Sequence, residues 1–207
     1  MDARIQAAVN LWNAHVQDAD LRSEFDGLLA PEKVDALYDA FYRNLAFGTA
    51  GLRGVLGVGT NRMNVYVVAQ ATQGVADYLN AHYDHPTLAL ARDSRNKGED
   101  FQRVVAGVLA ANGIKVFVYP RIEPVPTLSF AVRYLHTSAG IVLTASHNPA
   151  VYNGYKVYND NGGQITDEAA VEISANIERV DPFEVNVMDF DEGLKQGLIE
   201  WTSEEVL

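Results

Sequence analysis

Cysteine is absent, and with it any disulfide framework, thiolate nucleophile or thiolate metal cage. Basic residues are scarce: 16 Lys+Arg stand against 27 Asp+Glu, a formal net charge of -11. Nucleic acid and anionic membrane surfaces both require a basic face, so neither is an expected partner. A small phosphorylated ligand remains open, because a few local cations outweigh a distant net charge at short range. Long apolar runs are missing too. The stretch from Met1 to His15 lacks the apolar centre of a signal peptide, and no segment is long and apolar enough to span a bilayer. A soluble cytoplasmic protein is expected. Internal repeats and low-complexity tracts are also lacking.

What is present is a chain of 207 residues with 48% hydrophobic content, room for one large packed domain with an appended segment. Ile5, Val9, Leu11, Trp12 and Val16 recur at roughly helical spacing. Pro31 opens a second helical stretch whose stripe runs through Val34, Leu37, Tyr38, Phe41, Tyr42 and Leu45, with Tyr38, Phe41 and Tyr42 expected in the core. The helical pattern then breaks at Gly48, and five glycines fall between Gly48 and Gly59, a backbone able to turn tightly and approach a ligand. Asn64 is placed to cap a helix through Val65, Val68, Val75 and Leu79.

From Thr87 onward, short apolar runs alternate with helical patterns. Strands are predicted at Thr87–Ala91, Ile114–Tyr119 and Ile141–Ala145, separated by helices near Phe101–Leu109 and Pro124–His136, with Gly113 ending the first. This order predicts an α/β fold: a mostly parallel sheet with helices on both faces, three layers in all, preceded by an N-terminal helical extension. Such sheets bind ligands beyond the carboxyl ends of their strands. The ends reached here are Arg92-Asp93-Ser94-Arg95 and Ser146. Phe183, Val185 and Val187 alternate as a short strand, and Thr202 with Glu205 has the side chains of a capping box. The helix that this box announces is missing, which predicts that the sequence is part of a longer chain.

The chemistry concentrates in Thr144-Ala145-Ser146-His147-Asn148-Pro149 and Tyr152-Asn153-Gly154-Tyr155-Lys156. Ser146 leaves a buried strand directly into a loop, and Pro149 keeps Asn148 out of helical geometry, so the hydroxyl sits at the mouth of the sheet. A serine that merely caps a turn would not require the rest of this run. Spacing alone leaves Lys156 equally a surface lysine or a phosphate contact. Arg53, in the glycine-rich loop, is a phosphate-contact candidate, since glycines let backbone and guanidinium converge on one anion. Neighbouring side chains in an extended chain diverge, so His147 is expected beside Ser146 without serving as its base. Asn148 is expected to order the loop, and Arg92 and Arg95 to pair with Asp93 and fix the strand end.

These two runs, with Gly48-Thr49-Ala50-Gly51-Leu52-Arg53-Gly54 and Arg92-Asp93-Ser94-Arg95 in the same order, resemble the first domain of the α-D-phosphohexomutases, the phosphoglucomutase and phosphomannomutase superfamily. The N-terminal extension and the Phe47–Gly54 wording are most similar to its phosphoglucomutase-2 and phosphopentomutase branch. The resemblance implies that Ser146 carries a phosphoryl group, passes it to a sugar monophosphate and regains one from the resulting sugar bisphosphate. It implies Mg²⁺ on the serine phosphate, and Lys156 as phosphate contact or general acid/base. Arg53 would stabilise the transferring group, with Thr49, Gly51, His147 and Asn148 as further substrate or phosphate contacts.

The family's Asp-x-Asp-x-Asp-Arg metal loop, its Gly-Glu-x-Ser-Gly sugar loop and its distal Arg-x-Ser-Gly-Thr loop are absent, and Asp189-Phe190-Asp191-Glu192 is a poor imitation of the first. The expected organisation is therefore a helical extension over residues 1–45, a phosphoserine-bearing domain over 46–180 and the start of a connection to a missing second domain over 181–207. The missing domains of the same chain are expected partners, and the piece alone is expected to be inactive. A dinucleotide fold is rejected because Gly57-Val58-Gly59-Thr60-Asn61-Arg62 lacks the third glycine and follows a loop; no P-loop or G-x-S-x-G motif occurs. The rival reading is a noncatalytic module that binds a phosphosugar or a protein, distinguished by whether Ser146 exchanges phosphate.

Overall fold

The computed structural model describes residues 2–206. Three helices come first: α1 (Ala3–His15), α2 (Ala19–Leu28) and α3 (Val34–Phe41), the last entered through a 3-10 turn at Pro31–Lys33. Asp2 and Asp18 cap the first two by accepting the amides of Ile5 and Leu21. Ile5, Val9, Trp12, Val16, Phe25, Leu37, Ala40 and Phe41 bury one small core, closed by Val58, Tyr66 and Phe183. The expected aromatic stripe is only partly internal. Phe41 is buried, but Tyr38 is 50% exposed and stacks on Tyr42 at the surface. The eight-residue α3 packs through Leu37, Ala40 and Phe41, an i, i+3, i+4 set too narrow to turn Tyr38 inward as well. Leu11 likewise faces outward.

After β1 (Leu52–Val55), Asn64 starts α4 (Val65–His82). Its side chain accepts the Val67 amide, while its own amide donates to the carbonyls of Gly57 and Gly59. The alternation that follows is β2 (Thr87–Arg92), α5 (Gly98–Ala111), β3 (Lys115–Val118), α6 (Val125–Tyr134) and β4 (Ala139–Leu143). Gly113 ends α5 with φ +74°, the left-handed backbone that favours glycine. β5 (Tyr152–Asn159), α7 (Asp167–Ile177), α8 (Phe190–Lys195) and β6 (Ile199–Trp201) complete the order.

The six strands form one mixed sheet in the order β1-β5-β4-β2-β3-β6. The β4–β2, β2–β3 and β3–β6 pairings are parallel, each reached through a helical crossover. β5 returns antiparallel to β4 through the short 144–151 loop, which is too short for a crossover, and β1 adds antiparallel to β5. Helices α4, α5 and α7, with Phe190 of α8, cover one face. The other carries α6, packed over β2 and β4 by Leu128, Ala131 and Val132. The fold is thus the expected three-layer α/β/α arrangement.

Two expectations near the end of the chain fail. Residues 183–187 form no strand: Asp181 turns the backbone by accepting the Phe183 amide, and Phe183 meets Trp12 edge-on with ring centroids 5.3 Å apart. Thr202 caps no helix among the described residues. Its amide extends the β3–β6 ladder to the Val118 carbonyl, and its buried hydroxyl has no hydrogen-bond partner among them. Among the described residues, no helix is long and apolar enough to cross a membrane.

Asn64 joins a cap to the Gly57 and Gly59 carbonyls, with a longer bond to that of Arg62, at a buried position, so Asn64→Ala removes all of these bonds at once. The expected loss is about 2–4 kcal/mol of unfolding free energy, read from urea denaturation at unchanged m-value.

Candidate functional site

The short return from β4 to β5 places residues 144–151 at the carboxyl end of the parallel strands, beside the turn that follows β2. Ser146 is exposed there, with φ 58°. A non-glycine residue in this region costs about 1–3 kcal/mol and persists only where its surroundings over-determine it. Here the Ser146 amide donates to Thr144 Oγ1 at 3.0 Å, the Asn148 amide to the Ala145 carbonyl at 3.1 Å, and the Tyr152 amide to the Pro149 carbonyl at 2.9 Å.

Arg95 supplies the rest. Its Nη2 donates to the carbonyls of Ser146 (2.7 Å) and Asn148 (2.8 Å), and its Nη1 to those of Pro149 (3.1 Å) and Tyr152 (2.9 Å). The side chain is only 11% exposed, and Asp93 Oδ2 faces its Nε at 3.5 Å while Asp93 Oδ1 accepts the Arg95 amide. Asn153, fully buried, donates to the Asn96 carbonyl at 3.0 Å and so joins the same turn to β5. The expected Arg95–Asp93 pair is present, but it is the smaller part of what Arg95 does. Arg92 pairs elsewhere, with Gln102 and Glu99 on α5. A depression of about 260 Å³ is lined by Asp93, Ser94, Arg95, Asn96, Ser146, Asn148 and Ala150.

The other candidates divide. Arg53 donates from Nη1 to Asn148 Oδ1 at 3.1 Å, its one side-chain hydrogen bond among the described residues, so an exposed cation stands beside the serine loop. His147 departs from expectation. Its Nδ1 lies 3.3 Å from Ser146 Oγ, because the left-handed turn at Ser146 brings together side chains that an extended chain would part. Among the described residues no group holds its other ring nitrogen, so there is no third member to orient it as a base. Gly51 has φ +74°, and a Cβ there would come 1.8 Å from the Tyr155 carbonyl; its amide is committed to the Gly48 carbonyl at 2.7 Å. Its observed role is the close approach of this turn to β5. Thr49 lines a different depression, against α7 with Asp167, Ser174 and Glu178.

A model of the phosphoglucomutase/phosphomannomutase alpha/beta/alpha domain I matches residues 44–183. The chain belongs to this family. Phosphoglucomutase of Staphylococcus haemolyticus is 42% identical over 190 residues, covering 91% of this chain and 33% of that protein. Phosphoglucomutase of Staphylococcus saprophyticus is 36% identical over 197 residues, covering 95% and 35%. The chain thus spans about a third of the length of the curated relatives it matches. Among solved structures, a candidate phosphomannomutase of Thermus thermophilus superposes with a TM-score of 0.66 at 30% identity, covering 78% of this chain and 33% of that one. Paramecium parafusin, a phosphoglucomutase, shares the fold at a TM-score of 0.57 and 19% identity, covering 79% of this chain and 32% of that one.

Within this domain I, Lys156 sits in the middle of β5, opposite Val142, not at a strand end. It shares the α6 face with Tyr158, which packs in the α6 cluster, yet Lys156 itself stays half-buried. Its ammonium makes no hydrogen bond or ion pair among the described residues. Asp189 caps α8 by accepting the Glu192 amide, and Asp191 lies 4.0 Å from Arg103, so this stretch is a helix start. No group of three metal-ligating side chains occurs among the described residues. Arg95 and Asn153 are the site residues that sequence reasoning underrated. Two arginines flanking Asp93-Ser94 at a strand end were the available signal, and only the tertiary fold distinguishes the one that reaches the serine loop.

Gly51→Ala tests the turn beside this site. Left-handed strain and the clash with the Tyr155 carbonyl together are expected to cost about 2–4 kcal/mol, measured by chemical denaturation.

Proposed function

We propose that this chain is the phosphoserine-bearing domain of a phosphosugar mutase. Ser146 holds a phosphoryl group, delivers it to a sugar monophosphate, and takes one back from the sugar bisphosphate so formed. The observation that supports this is Ser146 itself: an exposed hydroxyl held in left-handed backbone at the carboxyl edge of the sheet, with a lightly engaged Arg53 beside its loop.

Phosphoryl transfer asks mainly for positioning and charge neutralisation. The loop holds Ser146 Oγ outward. Arg53 has guanidinium donors left to meet phosphate oxygens, and the Lys156 ammonium, without a partner among the described residues, can approach the same charge or move a proton at the sugar hydroxyl. Mg²⁺ would add charge neutralisation on the phosphate oxygens. The described residues offer it no cage, so Ser146 through its phosphate is the single ligand proposed from this chain. The remaining ligands, and recognition of the sugar, fall to the domains that make up the other two thirds of the relatives' length. By itself the chain is expected to bind Mg²⁺ weakly in calorimetric titration and to show no turnover.

The test is a coupled mutase assay on a protein that continues through those domains. Ser146→Ala is expected to abolish turnover even with added sugar bisphosphate, because no other residue stores the phosphoryl group. Lys156→Met should lower kcat by about 10²–10⁴-fold, the range for loss of a general acid or base, with a native circular dichroism spectrum. Arg53→Ala should lower it by about 10²–10³-fold, the scale for one preorganised donor. Substantial turnover by Ser146→Ala would refute the reading and leave a noncatalytic binding module as the better one.

A further inference from the structure

The arrangement around Arg95 has a counterpart on the opposite side of the serine loop. Every peptide bond of the described residues is trans, so each carbonyl points opposite to the N–H of the following residue. By drawing the Ser146 carbonyl to its Nη2 and the Pro149 carbonyl to its Nη1, Arg95 turns the N–H groups of His147 and Ala150 away from itself. The Asn148 carbonyl precedes Pro149, which has no N–H to turn, and the N–H after Tyr152 belongs to Asn153, inside β5. Neither the His147 nor the Ala150 amide has an acceptor among the described residues. The first belongs to the residue that follows Ser146, and the second to a residue lining the same depression as Ser146.

We infer that the His147 and Ala150 amides are an oxyanion cradle for a phosphate on or beside Ser146, and that Arg95 is the positioning residue that holds it open. Arg95 does not touch the anion, since both its η nitrogens are committed to carbonyls. Asp93, the one acidic residue lining the depression, is held by the Arg95 amide and faces its Nε. Two N–H groups turned away from Arg95, and the Arg53 guanidinium bonded to Asn148 of the same loop, are thus the donors that this loop can offer a phosphate. Lysine cannot replace Arg95, because a single ammonium lacks the planar fork that reaches four carbonyls on two sides.

The inference deepens the phosphoserine reading and rests on it for the source of the phosphate, but its test requires no transfer. The ¹⁵N-labelled chain is titrated with inorganic phosphate, against sodium chloride at matched ionic strength. The expected result is a saturable downfield shift of the His147 and Ala150 amide protons, larger than at other loop positions and absent with chloride. Arg95→Lys is expected to weaken the apparent affinity about tenfold or more while the spectrum stays dispersed, a change of about 1.4 kcal/mol per tenfold. Ser146→Ala is expected to keep the response. Its loss of mutase turnover therefore bears on the phosphoserine reading alone. The inference is overturned if phosphate moves neither amide in the wild-type chain, or if a folded Arg95→Lys responds unchanged. Should Arg95→Lys fail to fold, the wild-type titration still decides.

Discussion

The site depends on one almost fully enclosed cation. The Arg95 guanidinium lies under the serine loop and gathers three backbone carbonyls from it and a fourth from Tyr152 at the start of β5, with Asp93 facing its Nε. A charge taken that far from water is tolerable only when paired and hydrogen-bonded; here both η nitrogens are hydrogen-bonded, while Nε, buried without a hydrogen bond among the described residues, has Asp93 Oδ2 at 3.5 Å. The same contacts dictate the path of the loop. A backbone that must turn its carbonyls toward one point has few ways to run, and the left-handed conformation of Ser146 belongs to the path observed. One side chain thereby couples two strand ends, that of β2, which carries Arg95, and that of β4, which leads to Ser146.

The surrounding architecture exposes what the chemistry requires. Because β5 returns directly after β4, the serine loop is a tight connection at the sheet edge, flanked by β1 through its pairing with β5. Arg53 enters from β1, where the turn at Gly51 lies against β5 closely enough to exclude a side chain. On this face α6 reaches β5 at Tyr158, and Lys156 stays half-buried in mid-strand. The N-terminal helices are held to this body by aromatic packing of Trp12 on Tyr66 and Phe183, and by Lys97 pairing with Asp20 in the turn next to Arg95. An exposed ion pair of that kind contributes little to stability, so the aromatic contacts are the stronger link.

Much of this was legible in the residues. Alternating apolar runs and helical stripes give the layered fold, because periodicity reports burial and burial decides element type. Asn64, Gly113 and Ser146 were readable because capping, left-handed helix ends and an abrupt exit from an apolar strand depend on a few adjacent residues. The misread elements all involved contacts distant in sequence. Tyr38 has the spacing of a core residue, but whether a stripe is covered depends on what packs against it. Phe183 to Val187 alternates like a strand, yet Phe183 is drawn to Trp12 across the fold. Thr202 has the side chain of a cap, but its amide extends the ladder toward β3.

The sequence by itself determined the three-layer fold, the family resemblance and the serine around which the proposed chemistry turns, since each follows from local pattern or from an unbroken motif. Tertiary structure alone decided which of two arginines three residues apart serves the loop, whether His147 meets Ser146, that the Gly51 amide is committed within its own turn, and that Lys156 stays half-buried. Those outcomes depend on backbone direction and strand register. A single left-handed residue or a one-position shift reverses where a side chain or carbonyl points, and no local pattern records that choice.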